Sequence, residues 1–188
     1  MLRTEFISTG FSVPERVLTN DDLKQWWDTS DEWIRERSGI EQRHWVEPGQ
    51  QAGSDLALEA TRIALERAQM DASEIDCIVY ATLSPDYFFP GGGVYFQAKM
   101  GMEGVPALDV RNQCSGFLYG LATATSMVKA GAFKNILVIG AEQPVEPEQL
   151  HVDVGAPQPP GPDPAEHGVL RAERARAPEP VGVPAPQV

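Results

Sequence analysis

The sequence predicts an α/β fold: a mixed, mostly parallel sheet with a buried central helix, followed by a disordered proline-rich tail. Three observations predict it. Apolar runs of strand length, Cys77-Ile78-Val79-Tyr80-Ala81, Val105 to Val110 and Ile136-Leu137-Val138-Ile139-Gly140, alternate with segments of helical period. Strands that alternate with helices pair in parallel and are covered on both faces. The segment after Cys114 is apolar on nearly all sides (Phe117, Leu118, Leu121, Ala122, Ala124, Met127, Val128), the mark of a central, buried helix. Composition also breaks near Gln143. Every Phe, Trp, Tyr, Ile, Met, Ser, Thr, Asn and Lys lies in residues 1–143, and 11 of the 16 prolines lie in residues 144–188. A segment without aromatics or isoleucine cannot bury enough surface to offset its ordering entropy. Residues 1–143 are therefore the folded unit and residues 144–188 a disordered tail. The vocabulary of that tail also fits GC-rich coding sequence read out of frame.

The elements follow in order. Phe6-Ile7-Ser8-Thr9-Gly10 reads as a first strand. Asn20 can cap a short helix over Asp21 to Trp27, and Ser30 a second over Asp31 to Ser38 that Gly39 ends. Ser54 starts a longer helix, with Leu56, Ala60, Ile63, Ala64 and Ala68 on one face. The Cys77–Ala81 strand follows, then a helix over Val94 to Met100 and the strand ending at Val110. The Cys114 helix runs on to about Gly131, and Ile136–Gly140 closes the series.

The chain has 188 residues and a net charge of −12. That acidity argues against nucleic acid, which needs a basic patch, and against an anionic membrane surface. No apolar run approaches the ~18 residues of a membrane span, and the first residues lack an apolar signal core. Cys77 and Cys114 are too few for a disulfide framework, so a reducing cytoplasm is the expected compartment.

Cys114 is the candidate nucleophile. It lies between a strand and a helix, followed by Ser115-Gly116. At the first turn of a helix, unpaired N–H groups and the helix dipole favour thiolate, the form that attacks a carbonyl or thioester. A buried helix would open its N-terminus into an interior pocket. The plain alternative is a small core residue, which is the reading for Cys77 in mid-strand. Gln113-Cys114-Ser115-Gly116 only loosely resembles a caspase pattern. A cysteine hydrolase also lacks a base: His151 and His167 lie in the tail and His44 reads as a surface residue. No histidine or cysteine spacing supports a metal site. Gly91-Gly92-Gly93 is not followed by the Lys-Ser/Thr of a phosphate loop and reads as a tight turn needing positive φ. Phe88 and Phe89 either plug the core or line an apolar channel. Trp33 and Arg37 share one helix face, as a purine-stacking pair or as a tryptophan half-buried under an arginine.

Several runs carry a resemblance. They are Pro14-Glu15-Arg16-Val17-Leu18-Thr19-Asn20, Asp28-Thr29-Ser30-Asp31-Glu32-Trp33-Ile34, Arg37-Ser38-Gly39-Ile40, Pro106-Ala107-Leu108-Asp109-Val110, Cys114-Ser115-Gly116-Phe117 and Val138-Ile139-Gly140-Ala141-Glu142. In this order they resemble the N-terminal half of a β-ketoacyl-acyl-carrier-protein synthase III, a thiolase-like condensing enzyme. The resemblance implies an acyltransferase in the initiation of fatty-acid or polyketide synthesis. Cys114 would carry the acyl group as a thioester. Trp33 would stack on the adenine of coenzyme A, with Arg37 on its other side and Thr29 nearby. Phe89 would border the acyl pocket from the partner subunit of a homodimer. Acyl-CoA and acyl carrier protein are the implied partners, with coenzyme A thioester as substrate and no separate cofactor. In the family a second half supplies a histidine, an asparagine and part of the oxyanion hole, and nothing in residues 144–188 matches them. The alternative expectation is a truncated, non-catalytic fragment: a dimerising or acyl-binding remnant.

Overall fold

The computed structural model describes residues 3–46 and 51–142. The expected tail, its possible frame shift and the boundary at residues 143 and 144 lie outside the described residues, as do His151 and His167.

Two short strands open the chain. β1 (Val17–Thr19) pairs antiparallel with β2 (Gln42–His44), Val17 opposite His44 and Thr19 opposite Gln42. The Asp22 carboxylate accepts both the Thr19 N–H and the Thr19 hydroxyl, each at 2.7 Å. Those bonds hold its pKa below the usual carboxylate value.

The helix expected over Asp21 to Trp27 is a single 3-10 turn, Asp22–Gln25, and Asn20 does not cap it. Asn20 is buried, and its Nδ2 donates to Asp31 Oδ1 at 2.8 Å and to the Ile40 carbonyl at 2.7 Å. A side chain committed to the two flanks of the next helix is not available to start one. That next helix, α1 (Asp31–Ser38), forms as its caps predict. Ser30 Oγ accepts the Trp33 N–H at 3.1 Å, and Gly39 ends the helix at φ +70°.

Phe6–Gly10 is not a strand. The segment lies along α2 (Gly53–Ala68) instead: Ser8 Oγ donates to the Ala64 carbonyl at 2.6 Å, and Arg67 Nη1 to the Thr9 carbonyl at 2.8 Å. A Cβ on Gly10 would lie 2.1 Å from the Ala60 carbonyl oxygen, so only glycine fits there. This changes the α2 interface. Its buried positions are Gly53, Ser54, Ala57 and Thr61, one step round from the predicted face, and Leu65 packs on the core behind them. Ala60 and Ala64 of the predicted face receive the N-terminal stretch.

The centre is β3 (Cys77–Ala81), buried at every residue. β4 (Ala107–Val110) and β5 (Ile136–Gly140) flank it, both parallel, in the order β4-β3-β5. Ile78 stands opposite Ala107, and Cys77 opposite Ile136. β4 starts later than Val105 because Pro106 has no N–H, though its carbonyl still accepts the Ile78 N–H at 2.9 Å. Alternation along β3 builds two cores. Ile78 and Tyr80 face Ala57 of α2 and Phe96 of α3 (Gly92–Met100). Cys77 and Val79 face Ala124 of α4 (Gly116–Lys129). The parallel α/β layering of the sequence prediction is thus present.

Lys99 of α3 ties to α2 through Asp55, 2.5 Å away, and lies 3.8 Å from Asp86. The Lys99 bond, followed by the Ala52 N–H, lowers the Asp55 pKa. A lowered carboxylate stabilises the fold above its unfolded pKa of about 3.9 and loses that contribution as pH falls through the folded value. Both side chains are over a third exposed, so solvent screening limits the tie to about 1 kcal/mol or less. Lys99→Met should therefore be slightly less stable than the parent in urea at about pH 7, and the gap should close at about pH 2. An undiminished gap in acid would assign the effect to Lys99 packing instead.

Candidate active site

β4 ends at Val110, a turn spans residues 113–115, and α4 begins at Gly116. Cys114 lies in that turn. The Gly116 N–H donates to the Gln113 carbonyl at 2.8 Å, which closes the turn and places the thiol just ahead of the helix rather than in its first turn. Ser115, at the N-cap position, makes no side-chain cap bond. No side-chain cap thus takes the amide groups at the mouth of α4, and they point toward the turn that carries the sulfur.

Small residues set where the helix mouth sits. Gly116, Gly120 and Ala124 form the buried stripe of α4. A Cβ on Gly120 would lie 3.4 Å from Val79 and 3.5 Å from Val138, so α4 rides close on the sheet. The opposite side is uncovered by the described residues: Phe117, Leu118 and Tyr119 are 45%, 66% and 56% exposed. Cys114 is likewise exposed, where an interior pocket was expected. The apolar groups that could wall such a pocket, Phe88 and Phe89 among them, themselves stand in the open.

The ends of the three parallel strands meet beside this turn. Thr82 N–H donates to the Val110 carbonyl, and Ala141 N–H to the Ala81 carbonyl, at 3.2 and 3.1 Å. The carboxyl ends of parallel strands are where open α/β sheets bind ligands. Three polar side chains organise the rim, and the sequence reading missed all of them. Asp109 accepts the N–H groups of Gly92 and Gly93 at 2.7 and 2.8 Å. The glycine run is thus no phosphate loop, because an internal carboxylate takes its amides; only Gly91, at φ +129°, needs glycine for its backbone. Glu142 accepts from Leu83 N–H, Ser84 N–H and Ser84 Oγ at 2.8, 3.2 and 2.7 Å. The Arg111 guanidinium lies 4.8 Å over the Phe88 ring, and its Nη2 donates to the Phe88 carbonyl at 3.3 Å. The available signal was a single charge ending or interrupting an apolar strand run.

Thr29, Trp33 and Arg37 form a second region, on α1 and the residues before it. Trp33 is 53% exposed, and the Arg37 guanidinium lies 4.4 Å over its ring. A planar ring needs about 3.5 Å on each side, so in this arrangement the two stack on each other with no space for a base between them. Thr29 Oγ1 is buried without a hydrogen-bond partner. Thr29 lines a concavity of about 500 Å³ with Lys24, Gln25, Trp26, Trp27 and Asp28. Among the described residues, no hydrogen bond, ion pair or ring contact joins this region to Cys114 or Phe89.

Cys77 is buried in β3, and burial pushes its thiol pKa up. A ring nitrogen of His44, Nδ1, lies 2.6 Å from the Pro14 carbonyl, away from the Cys114 turn in sequence and bonding. Among the described residues no cluster of three or more His, Cys, Asp or Glu could hold a metal ion, and no helix is long and apolar enough to cross a membrane.

Residues 108–146 match the family model described as 3-oxoacyl-[acyl-carrier-protein (ACP)] synthase III. A β-ketoacyl-[acyl-carrier-protein] synthase III from Hyphomonas neptunium is 52% identical over 143 residues, 76% of this chain and 44% of the relative. The 3-oxoacyl-[acyl-carrier-protein] synthase III of Aquifex aeolicus VF5 superposes with a TM-score of 0.69 at 43% identity, covering 73% of this chain and 44% of that one. The priming β-ketosynthase of the R1128 polyketide pathway superposes at 0.67 with 30% identity, covering 73% and 41%. The chain spans less than half the length of these relatives.

Proposed function

Because this chain belongs to the β-ketoacyl-[acyl-carrier-protein] synthase III family, whose N-terminal half it carries, we propose that Cys114 is its acyl-accepting nucleophile. The observation that carries this reading is the exposed Cys114 thiol in a turn between parallel β4 and the uncapped mouth of α4. The thiolate attacks the carbonyl carbon of an acyl-CoA. A new C–S bond to Cys114 forms, the bond to coenzyme A breaks, and the departing thiolate takes a proton from solvent. The amides at the start of α4 face the oxygen that gains charge. Trp33 offers a flat surface for adenine, provided Arg37 swings off its ring to the far side of the base, and Thr29 lines the adjoining concavity. Phe89 borders the acyl pocket, in a homodimer from the partner subunit. The second half-reaction would be condensation with malonyl-acyl carrier protein, which loses CO2 as its carbanion attacks the thioester. On this reading the chain acts in the initiation of fatty-acid or polyketide synthesis, with the cytoplasm as the expected compartment.

A narrower reading has support too. His44, the one histidine among the described residues, sits against the Pro14 carbonyl rather than beside Cys114. The described residues thus provide the acyl-accepting step without a histidine to stabilise the enolate of decarboxylation. Incubation with labelled acyl-CoA followed by intact-mass analysis tests both. We expect one acyl adduct, absent from Cys114→Ala. A stable adduct that malonyl-acyl carrier protein does not discharge favours the narrower reading. A folded protein with no adduct sinks both, and rapid hydrolysis of acyl-CoA points to a hydrolase.

A further inference from the structure

The loop after β3 carries Phe88 and Phe89, and side chains from both neighbouring strands hold it. Following β5, Glu142 takes two consecutive amides and a hydroxyl at the start of the loop, Leu83 and Ser84. Following β4, Arg111 covers the Phe88 ring and binds its carbonyl at the far end of the loop. Between them Asp86 accepts the Ser54 N–H at 3.1 Å and the Ser54 hydroxyl, which anchors the middle of the loop to the start of α2. A segment with Phe88 76% and Phe89 89% exposed has little apolar burial of its own to fix it. Its position is set by these polar ties together with the Tyr87 ring, which stacks on Tyr95 of α3 at 4.5 Å between centroids. Arg111 stands three residues before Cys114, so one tie runs from the short link between β4 and the nucleophile turn. A guanidinium suits this role because its plane stacks on an aromatic face while its edge donates to a carbonyl.

We infer that Arg111 and Glu142 are positioning residues: they hold residues 83–89 as an apolar wall that, across the homodimer, selects the acyl chain reaching Cys114. This rests on the reading of Cys114 as acyl acceptor with Phe89 at the pocket, and adds the two side chains that place it. Neither acts on the reacting atoms; both act through the aromatic loop.

The test uses the full chain and reads the Cys114 neighbourhood without needing turnover. Cys114 is alkylated with N-methylmaleimide and with N-hexylmaleimide, and each rate is divided by the rate of the same reagent with free glutathione. An apolar wall gives the hexyl reagent an advantage of about tenfold, the effect of burying roughly two methylenes. Glu142→Ala and Arg111→Met should each bring the ratio back to within about twofold of unity. Cys77, buried in β3, stays unlabelled in a folded variant. Should Glu142→Ala expose it, Arg111→Met, at an exposed side chain, decides the question alone. No hexyl preference in the parent overturns the inference, and so does a preference kept in a folded variant. Acyl-CoA labelling is scored separately. A collapsed ratio without acyl adduct leaves the wall standing and removes the acyl-acceptor reading; an adduct with an unchanged ratio does the reverse.

Discussion

Phe96→Ala should lower the unfolding free energy by about 3–5 kcal/mol, the usual cost of emptying a buried phenylalanine site. Phe96 has no exposed surface. Its ring lies 6.0 Å from that of Tyr80, tilted by 39°, and belongs to the cluster that joins α2, α3 and β3. Helices α2 and α3 approach the sheet through this ring, so the neighbours cannot collapse into the gap without shifting an element. Domains of this kind hold a margin of about 5–15 kcal/mol, and the substitution removes a large part of it. Urea denaturation followed by far-ultraviolet circular dichroism measures the change. A loss below about 1 kcal/mol would mean that Tyr80 and Ala57 fill the space, contrary to a close-packed core.

Asp109→Ala should cost about 3 kcal/mol, from two bonds to a charged group at about 1.5–3 kcal/mol each, partly offset by relaxation. The carboxylate receives Gly92 and Gly93 together, and both glycines are buried, so water does not readily replace it. The paired bonds also need glycine at position 93: a Cβ there would stand 2.7 Å from Asp109 Oδ1. Asp109→Asn should lose roughly half as much, because one carbonyl oxygen remains to accept. Equal losses for both variants would assign the effect to charge at the start of α3 rather than to the paired bonds.

The sequence made some of this legible and hid the rest for physical reasons. α1 was readable because Ser30 and Gly39 are local signals, resolved within one helix. β3 was readable because five consecutive buried residues leave little alternative. Phe6–Gly10 was misread because a strand needs a ladder partner, and partners are not encoded locally; its backbone went to α2 instead. The α2 face was offset because that same stretch covers Ala60 and Ala64, which makes two sides of one helix useful. The strand–turn–helix setting of Cys114 was readable from the apolar runs on either side, but its exposure was not, since an all-apolar helix announces burial without saying what buries it. Glu142 and Arg111 escaped notice because their partners lie 58 and 23 residues away, at Ser84 and Phe88.

The sheet has a further consequence. Among the described residues only β3 is bonded along both sides; β4 and β5 each turn one row of main-chain donors and acceptors outward. Strands lie about 4.8 Å apart, and a strand bonded on one side alone is a template on which a further extended segment can pair.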